Sequence, residues 1–231
     1  MKRKINLDFD LKPSVGHRVN AKLVSKYIKK GSRILDVGCW SGQLLRALKS
    51  ERKNFHYFGI DVNKDAIGYI TKVEPEGNFK LASALDIPYK DKYFDIITLF
   101  DVLEHIPKKA EMRCLKEIRR VIKKDGVLLI STPADNLFSK IFDPAYFLLE
   151  HRHYSKDKLL DLLSKSRFKV RSFTTTGSVF YGLYILLQLF FKHIFNSDCP
   201  NRGIFKVLEQ MAQKELSRSG FMGHYIISYA E

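Results

Sequence analysis

Two glycines and a carboxylate form the most informative pattern in this sequence. Gly38 and Gly42 lie between a predicted strand and a predicted helix, where glycine allows a tight turn and a close ligand approach. Their Gly-x-x-x-Gly spacing is neither the dinucleotide pattern Gly-x-Gly-x-x-Gly nor a phosphate loop ending in Gly-Lys-Ser/Thr. Asp61 comes 23 residues after Gly38, at the end of the next predicted strand. A carboxylate there can accept hydrogen bonds from ribose hydroxyls, so the pattern indicates an adenosine-containing ligand.

The elements that must position these residues alternate between strand and helix. Short apolar runs predict strands at 33–37, 56–61, 79–82, 94–100, 127–132, 168–174 and 225–229. Ser41, Asn63 and Ser155 are predicted helix caps, and residues 107–124 form an amphipathic helix with Ile122 on its apolar stripe. Continuous apolar strands that alternate with helices predict an α/β fold with a parallel sheet covered on both faces. Such sheets bind ligands at the carboxyl ends of their strands.

The charge and the cysteines restrict partners and compartment. A net charge of +15 favours nucleic acid, an anionic membrane face or a phosphorylated substrate, although an ordinary basic surface explains it too. No apolar run follows the basic start Met1-Lys2-Arg3-Lys4, so a secretory signal is not predicted. Cys39, Cys114 and Cys199 form no Cys-x-x-Cys pair, so neither a zinc site nor a disulfide framework is indicated. We therefore expect a cytoplasmic protein.

Several motifs in order resemble class I S-adenosylmethionine-dependent methyltransferases, in particular the group that includes ubiquinone-biosynthesis O-methyltransferases. The resemblance covers about residues 30–175 and rests on Ile34-Leu-Asp-Val-Gly-Cys-Trp-Ser-Gly42, Gly59-Ile-Asp-Val62, Ala84-Leu-Asp-Ile-Pro88, Phe94-Asp-Ile-Ile-Thr-Leu-Phe-Asp-Val-Leu-Glu-His-Ile106, Gly126-Val-Leu-Leu-Ile-Ser-Thr-Pro133 and His153-Tyr-Ser155. It implies one domain over residues 1–231, built on a Rossmann-like, seven-stranded, mostly parallel sheet with helices on both faces. Residues 178–221, between the last two strands, would be an inserted helical lid.

The resemblance also implies a cofactor, S-adenosyl-L-methionine, and residues that bind it. The turn from Asp36 to Gly42 would hold its methionine and ribose portions. The implied cofactor-binding residues are Asp36, Gly38, Cys39, Gly42, Asp61, Val62, Leu85, Asp86, Ile87 and Phe100. Within that set Asp61 would bind ribose and Asp86 the adenine amino group, while Leu85 and Ile87 would line the ring pocket. His17 and Arg18 are further candidates, for the cofactor carboxylate; Trp40 departs from the small or acidic residue usual in the family, and its ring could shield the sulfonium.

Methyl transfer needs an acceptor held in line with the methyl group, and an oxygen or nitrogen acceptor can also need a base. Asp101, Glu104 and His105 follow the fourth strand within about one helical turn, so they are the candidate catalytic residues. His105 could be the base, or the trio could bind a hard cation such as Mg²⁺, or Glu104 and His105 could simply stabilise the loop. His153 is a further candidate, as an acceptor contact or as a structural residue. His151 is a weaker one.

The region 178–221 carries an aromatic-rich apolar run from Val179 to Phe191 that is too short to span a membrane. It predicts either a buried helix or one that lies in a membrane interface. The sequence leaves the methyl acceptor open. A small molecule, lipid or glycan precursor is the first hypothesis, and it goes with peripheral contact to an anionic membrane. RNA or protein is the second, favoured by the charge. A binding protein that has lost catalysis is the third.

Overall fold

Strands and helices alternate along the first half of the chain, as predicted. The structure is a computed structural model that describes residues 9, 12–143, 146, 151–195 and 203–231, without the side chains of residues 189 and 192–195. The strands are β1 (Ser32–Val37), β2 (Phe55–Asp61), β3 (Asn78–Leu81), β4 (Phe94–Phe100), β5 (Ile122–Pro133), β6 (Phe168–Thr176) and β7 (Gly223–Ala230). The helices are α1 (Val15–Ser25), α2 (Gln43–Lys49), α3 (Lys64–Val73), α4 (Glu111–Val121), α5 (Leu137–Ile141), α6 (Lys156–Lys165), α7 (Val179–Phe195) and α8 (Ile204–Leu216), with a 3₁₀ turn at Leu103–His105.

The strands form one seven-stranded sheet in the order β3-β2-β1-β4-β5-β7-β6. β1 to β5 are parallel to their neighbours within that set, and β7 runs antiparallel to both β5 and β6. This arrangement confirms the predicted Rossmann-like, mostly parallel sheet. It also brings the carboxyl ends of β1 to β5 to one edge, where the motifs of the sequence converge.

Two of the three predicted helix caps are confirmed. Asn63 Oδ1 accepts a hydrogen bond from the Ala66 amide at 2.9 Å, and Ser155 Oγ accepts one from Lys158 at 3.3 Å. The prediction for Ser41 is wrong, because α2 is preceded by Gly42 in a left-handed conformation that provides no side-chain cap. Ser41 is instead fully buried inside the turn.

The predicted helix over residues 107–124 is too long at both ends. α4 begins at Glu111, and Ile122 belongs to β5, where it pairs with Phe94 of β4. The Tyr93 amide also donates to the Val121 carbonyl at 2.7 Å. Pairing with β4 therefore ends the helix before its apolar periodicity does.

Helices cover both faces of the sheet, as predicted. On one face Ile97 and Leu99 of β4 belong to a core cluster with Leu115 and Ile118 of α4. On the other face Ile96 belongs to a second cluster with Leu48 of α2. The sheet is thus rigidly packed from both sides, which fixes the positions of its strand ends.

Two helices, α7 and α8, occupy the connection between β6 and β7. Tyr184 of α7 belongs to a buried cluster with Val15 of α1 and with Ala212 and Leu216 of α8. Among the described residues, no helix is both long enough and apolar enough to cross a membrane. The assignment of the whole chain to one domain, and of residues 178–221 to a lid, stays a prediction. Met1–Lys4 and Cys199 lie outside the described residues.

Candidate functional site

The turn after β1 is closed by backbone hydrogen bonds. The amides of Gly38 and Cys39 donate to the Ile60 carbonyl at 2.8 and 3.0 Å, and the Gly42 amide donates to the Cys39 carbonyl at 2.9 Å. Gly38 and Gly42 have φ values of 80° and 82°, which side chains rarely adopt. A Cβ on Gly38 would lie 2.3 Å from a Val102 methyl carbon. Backbone conformation and packing therefore require these glycines even before a ligand is considered.

Asp61 ties this turn to β2. Its Oδ2 accepts from the Trp40 amide at 2.9 Å, and its Oδ1 accepts from the Asn63 amide at 2.8 Å. Trp40 has φ 45°, and its ring lies 5.6 Å from the ring of Phe9. Both Asp61 and Trp40 line a cavity of about 570 Å³, called the open cavity below.

Some of the predicted cofactor-binding residues line the open cavity and others do not. Its lining includes Gly38, Asp61, Val62, Ser83, Leu85, Asp101 and His105. Ile87, predicted to line it, is 1% exposed and belongs to the hydrophobic core instead. Asp86 is exposed to solvent and is not part of that lining, so its contact with adenine stays a prediction. Leu85 therefore faces the cavity, while Ile87 packs into the core below it.

A narrow cavity of about 110 Å³ adjoins the open cavity at Gly38, Trp40 and Asp101. Its other lining residues include His17, Asn20, Asp36, Cys39, Gln43 and Phe100. Asn20 Oδ1 is buried without a hydrogen-bond partner in the described part of the chain. Arg18 does not line this cavity; it forms an ion pair with Glu209 of α8. Of the two residues predicted to contact the cofactor carboxylate, His17 therefore stays a candidate and Arg18 does not.

Asp36 lies at the floor of the narrow cavity. It accepts hydrogen bonds from Tyr57 at 2.5 Å and from Thr98 at 2.6 Å. Burial raises the pKa of Asp36 to about 6, although these two hydrogen bonds oppose the shift. Asp36 is thus held rigidly below the turn by Tyr57 and Thr98.

Asp101 joins these two cavities to a third one, of about 260 Å³, which we call the roofed cavity. Asp101 lines all three, has φ 54°, and accepts a hydrogen bond from Ser131 Oγ at 2.8 Å. Desolvation of its carboxylate by the surrounding side chains raises the pKa of Asp101, with the Ser131 hydrogen bond opposing the shift. A non-glycine residue with positive φ at such a junction is a strained position of the kind that collects at functional sites.

The roofed cavity is formed by residues from distant parts of the chain. β5, α5 and the 3₁₀ turn provide one side, and α7, α8 and β7 provide the roof. Its lining includes Glu104, Thr132, Phe142, Asp143, His151, Tyr181, Ile185, Leu216, Met222 and Tyr225. Most of this lining is apolar or aromatic, and its acidic and histidine groups lie together on the side of the 3₁₀ turn.

Glu104 and His105 do not face the same cavity. Glu104 is buried at the roofed cavity, where its Oε2 accepts from Thr132 Oγ1 at 3.1 Å. Burial raises the pKa of Glu104 well above its ordinary value. His105 lines the open cavity, and burial together with His151 lowers its pKa. The predicted trio of Asp101, Glu104 and His105 is therefore divided between the two cavities.

His151 is the functional residue that sequence reasoning underrated. Its Nε2 lies 3.3 Å from His105 Nε2 and 3.8 Å from Glu104 Oε1, while its Nδ1 lies 2.5 Å from Asp143 Oδ2. His153 Nε2 contacts the same Asp143 oxygen at 2.9 Å, and its Nδ1 lies 3.0 Å from the Ala134 carbonyl. The side chain of His153 is 1% exposed, so its geometry favours positioning Asp143 over touching an acceptor.

Arg152 and Tyr154 hold this histidine segment against the 3₁₀ turn. The Arg152 guanidinium donates to the carbonyls of Leu103, Glu104 and Ile106 and pairs with Glu111. The fully buried Tyr154 donates to the Leu103 carbonyl at 3.0 Å. Burial would raise the pKa of Asp143, but the hydrogen bonds from His151 and His153 outweigh it and lower that pKa.

The chain belongs to a family of class I S-adenosylmethionine-dependent methyltransferases. The family model described as a methyltransferase domain matches residues 15–172, more than half of the chain. The family and the fold imply S-adenosyl-L-methionine as the cofactor. The open and narrow cavities fit it: a carboxylate at the end of β2 suits a ribose, Leu85 suits a purine ring, and the unpaired Asn20 oxygen with Asp36 suits the amino-acid end.

Individual relatives share about half of their length with this chain. A ubiquinone/menaquinone biosynthesis C-methyltransferase from Campylobacter jejuni is 26% identical over 47% of this chain and 48% of its own length. A demethylmenaquinone methyltransferase from Lactobacillus johnsonii is 32% identical over 53% of each chain.

Solved structures agree on the fold. A methyltransferase from Archaeoglobus fulgidus matches with a TM-score of 0.62 and 20% identity over 92% of both chains. The [4+2]-cyclase SpnF matches with a TM-score of 0.65 and 19% identity over 97% of this chain and 85% of its own. At such identities the likeness concerns the fold alone, and a cyclase on the same fold shows why the acceptor side must be argued from its own residues.

Proposed function

We propose that this protein transfers a methyl group from S-adenosylmethionine in the open and narrow cavities to an acceptor in the roofed cavity. The observation that carries the proposal is the position of Asp101, which lines all three cavities. A cofactor and an acceptor bound on its two sides would meet at this residue. Holding the acceptor atom in line with the sulfur–methyl bond is the main requirement of such a displacement.

The acceptor is an apolar small molecule or lipid, including lipid-linked glycan precursors. Support comes from the lining of the roofed cavity by Phe142, Tyr181 and Ile185. Large apolar side chains are also exposed on the helices that supply this lining: Leu137, Phe138 and Ile141 on α5, Val179, Phe180, Leu183 and Phe190 on α7, and Ile204, Val207 and Met211 on α8. An exposed apolar rim with a net charge of +15 suits peripheral contact with an anionic membrane from the cytoplasmic side.

On this proposal α7 and α8 act as the lid predicted for residues 178–221. The quinone-pathway relatives match at low identity and across only about half of their own length. They therefore support a lipid-like class of acceptor and no particular quinone. The catalytic assignments stay with Asp101, Glu104 and His105 next to the reacting groups, and with His153 as the residue that positions Asp143. Burial lowers the pKa of His105, which favours the neutral imidazole that a general base requires.

RNA or protein is the second candidate acceptor, and one observation favours it. A surface groove of about 680 Å³ between α1 and the β6–β7 edge is lined by Lys22, Lys26 and Arg218 together with hydroxyl side chains. Such a groove could follow a phosphate backbone. It lies behind Tyr225 and Leu216, which separate it from the roofed cavity, so the reactive end of a nucleic acid would have to pass that wall.

Transfer from a methyl-labelled cofactor into fractionated cell extract tests the proposal. Label in the lipid or small-molecule fraction is the expected result, and label in RNA or protein supports the second candidate. Vesicle flotation tests the membrane contact separately: binding to anionic vesicles at low salt that weakens at high salt is expected. A Phe180→Ser, Leu183→Ser double variant should float less than a Leu81→Ser control, which removes an exposed apolar side chain on β3, away from this rim. No flotation of the unmodified chain would refute the membrane contact.

A further inference from the structure

One carboxylate oxygen and two imidazole nitrogens converge between the open and roofed cavities. His105 Nε2 and His151 Nε2 are 3.3 Å apart, His151 Nε2 and Glu104 Oε1 are 3.8 Å apart, and all three atoms lie within 4.8 Å of one another. Two ligands bound tetrahedrally at a zinc–nitrogen distance of about 2.1 Å are about 3.4 Å apart. The spacing of the two imidazole nitrogens is therefore that of two ligands on one ion.

Glu104 provides a second, independent sign of a ligand. Its side chain is 0% exposed, and its Oε1 has no hydrogen-bond partner among the residues that the structure describes. Its other oxygen is fixed by Thr132, so the unpartnered oxygen points towards the histidines. Burying an unsatisfied carboxylate oxygen is costly, and a cation at this position would satisfy it.

His151 is prepared to bind through Nε2. Asp143 Oδ2 lies 2.5 Å from Nδ1, so the proton belongs on Nδ1 and the Nε2 lone pair faces Glu104 and His105. A carboxylate behind a ligating imidazole is the usual second layer of a metal site, because it fixes the ring and its tautomer. His153 holds the same Asp143 oxygen from the other side.

We propose that Glu104, His105 and His151 bind one zinc ion or a first-row transition metal ion such as Mn²⁺, Fe²⁺ or Co²⁺. Two imidazole nitrogens and one carboxylate oxygen suit these ions, whereas Mg²⁺ and Ca²⁺ prefer oxygen ligands. This set differs from the trio predicted from the sequence: His151 takes the place of Asp101, which is not among the residues whose ligand atoms converge here.

The place of the ion indicates its use. His105 lines the open cavity, while Glu104 and His151 line the roofed cavity, so the ion would face the acceptor from beside the cofactor. Three protein ligands leave a position for an oxygen atom of the acceptor. An ion used in this way would select acceptors that carry a hydroxyl or carbonyl oxygen. This role of the ion rests on the proposed methyl transfer, whereas the existence of the ion site does not.

Metal binding to the untagged full chain, stripped with chelator and desalted, tests the site. Co²⁺ titrated against visible absorbance and Zn²⁺ titrated in a calorimeter should each give one ion per chain. Glu104→Gln and His151→Gln should each weaken the Kd at least tenfold, and Asp143→Asn should weaken it by about 10–100-fold through the second layer. His56→Gln, which removes an exposed histidine on β2, should leave the Kd unchanged.

S-adenosylhomocysteine affinity serves as the folding control, because Glu104→Gln keeps the shape of the side chain. No binding of Co²⁺ or Zn²⁺ by the unmodified chain would overturn the site, and so would binding that survives His151→Gln and Glu104→Gln. The two proposals fail separately. Metal binding without S-adenosylhomocysteine binding would leave the ion site standing and remove the methyl transfer, and the reverse result would remove only the ion.

Discussion

The two sides of the cleft are built in different ways. The cofactor side is made largely of backbone turns between β1, β2 and their helices, so that Gly38, Gly42 and Asp61 lie within a short stretch of chain. The roofed side is made of side chains from the 3₁₀ turn, the histidine segment, α5, α7, α8 and β7. A backbone turn leaves its glycines and its acid at fixed spacings in the sequence. A side-chain cluster assembled across the fold leaves no such spacing.

The supports differ as well. The turn after β1 is held by backbone hydrogen bonds to Ile60 and by Asp61. The roofed side depends on Arg152 and Tyr154. Both donate hydrogen bonds to the Leu103 carbonyl in the 3₁₀ turn, which lies more than 40 positions earlier in the sequence. We therefore expect changes on the cofactor side to affect cofactor binding or local backbone strain, and changes on the roofed side to affect turnover.

The largest expected effect is that of Asp61→Ala on cofactor binding. The substitution removes the charged acceptor for two ribose hydroxyls and should weaken S-adenosylhomocysteine binding by roughly 2–4 kcal/mol. Calorimetry measures it, with Asp65→Ala in the first turn of α3 as the matched control that should bind normally. NAD should bind hardly at all to either protein. An unchanged affinity in a folded Asp61→Ala variant would place the ribose elsewhere.

The next effect concerns turnover and His105, which lies on the 3₁₀ turn where the two sides meet and lines the open cavity. His105→Ala should lower turnover by about a hundredfold while cofactor affinity stays nearly intact. The expectation holds whether His105 is a base or a metal ligand, so a second assay treats the unmodified chain with chelator. Loss of activity that added metal restores indicates that His105 is a metal ligand. Full activity of the folded variant, with no response to chelator, would leave His105 a structural residue of the loop.

The difference between the two sides also explains which parts of the fold and of the site can be predicted from the sequence. Every strand except β5 is predicted to within a few residues, because short runs of apolar, aromatic and β-branched residues bounded by turn residues are local signals. Ile122 was assigned to a helix, since its periodicity fits a helix and its partner Phe94 is far away in sequence. Asp143 carried no signal at all, because a lone acid acquires its role only when His151 and His153 are folded against it.

A smaller effect tests the turn itself. Gly42→Ala should destabilise the fold by about 1–3 kcal/mol, because φ is 82° and the new Cβ would lie 2.3 Å from Ile70 Cδ1. Gly68→Ala in α3 is the matched control: nothing lies within 4 Å of its Cβ, and it should stabilise the helix by about 0.5–1 kcal/mol. Chemical denaturation measures both. Equal stabilities would show that the turn tolerates a side chain and that its glycine serves only ligand approach.

The smallest effect concerns His17, which takes part in the N-terminal cap of α1 and also lines the narrow cavity. Its Nδ1 accepts from the Ser14 amide at 3.2 Å, and burial, with Arg46 and Arg18 nearby, lowers its pKa to about 4. The unfolded chain therefore takes up a proton at higher pH than the folded chain. The stability that this neutral histidine provides is complete above about pH 6.5 and is lost as the pH falls towards 4.

His17→Gln should remove this pH dependence while keeping the cap, because glutamine at the same position completes a capping box with Ser14. Between pH 7 and pH 5 the unmodified chain should lose about 1–2 kcal/mol more stability than the variant. Denaturation at the two pH values measures the difference, and parallel curves would contradict it. Binding of S-adenosylhomocysteine at pH 7 decides the second role: weaker binding by His17→Gln assigns the cofactor carboxylate to His17, and unchanged binding confines His17 to the cap of α1.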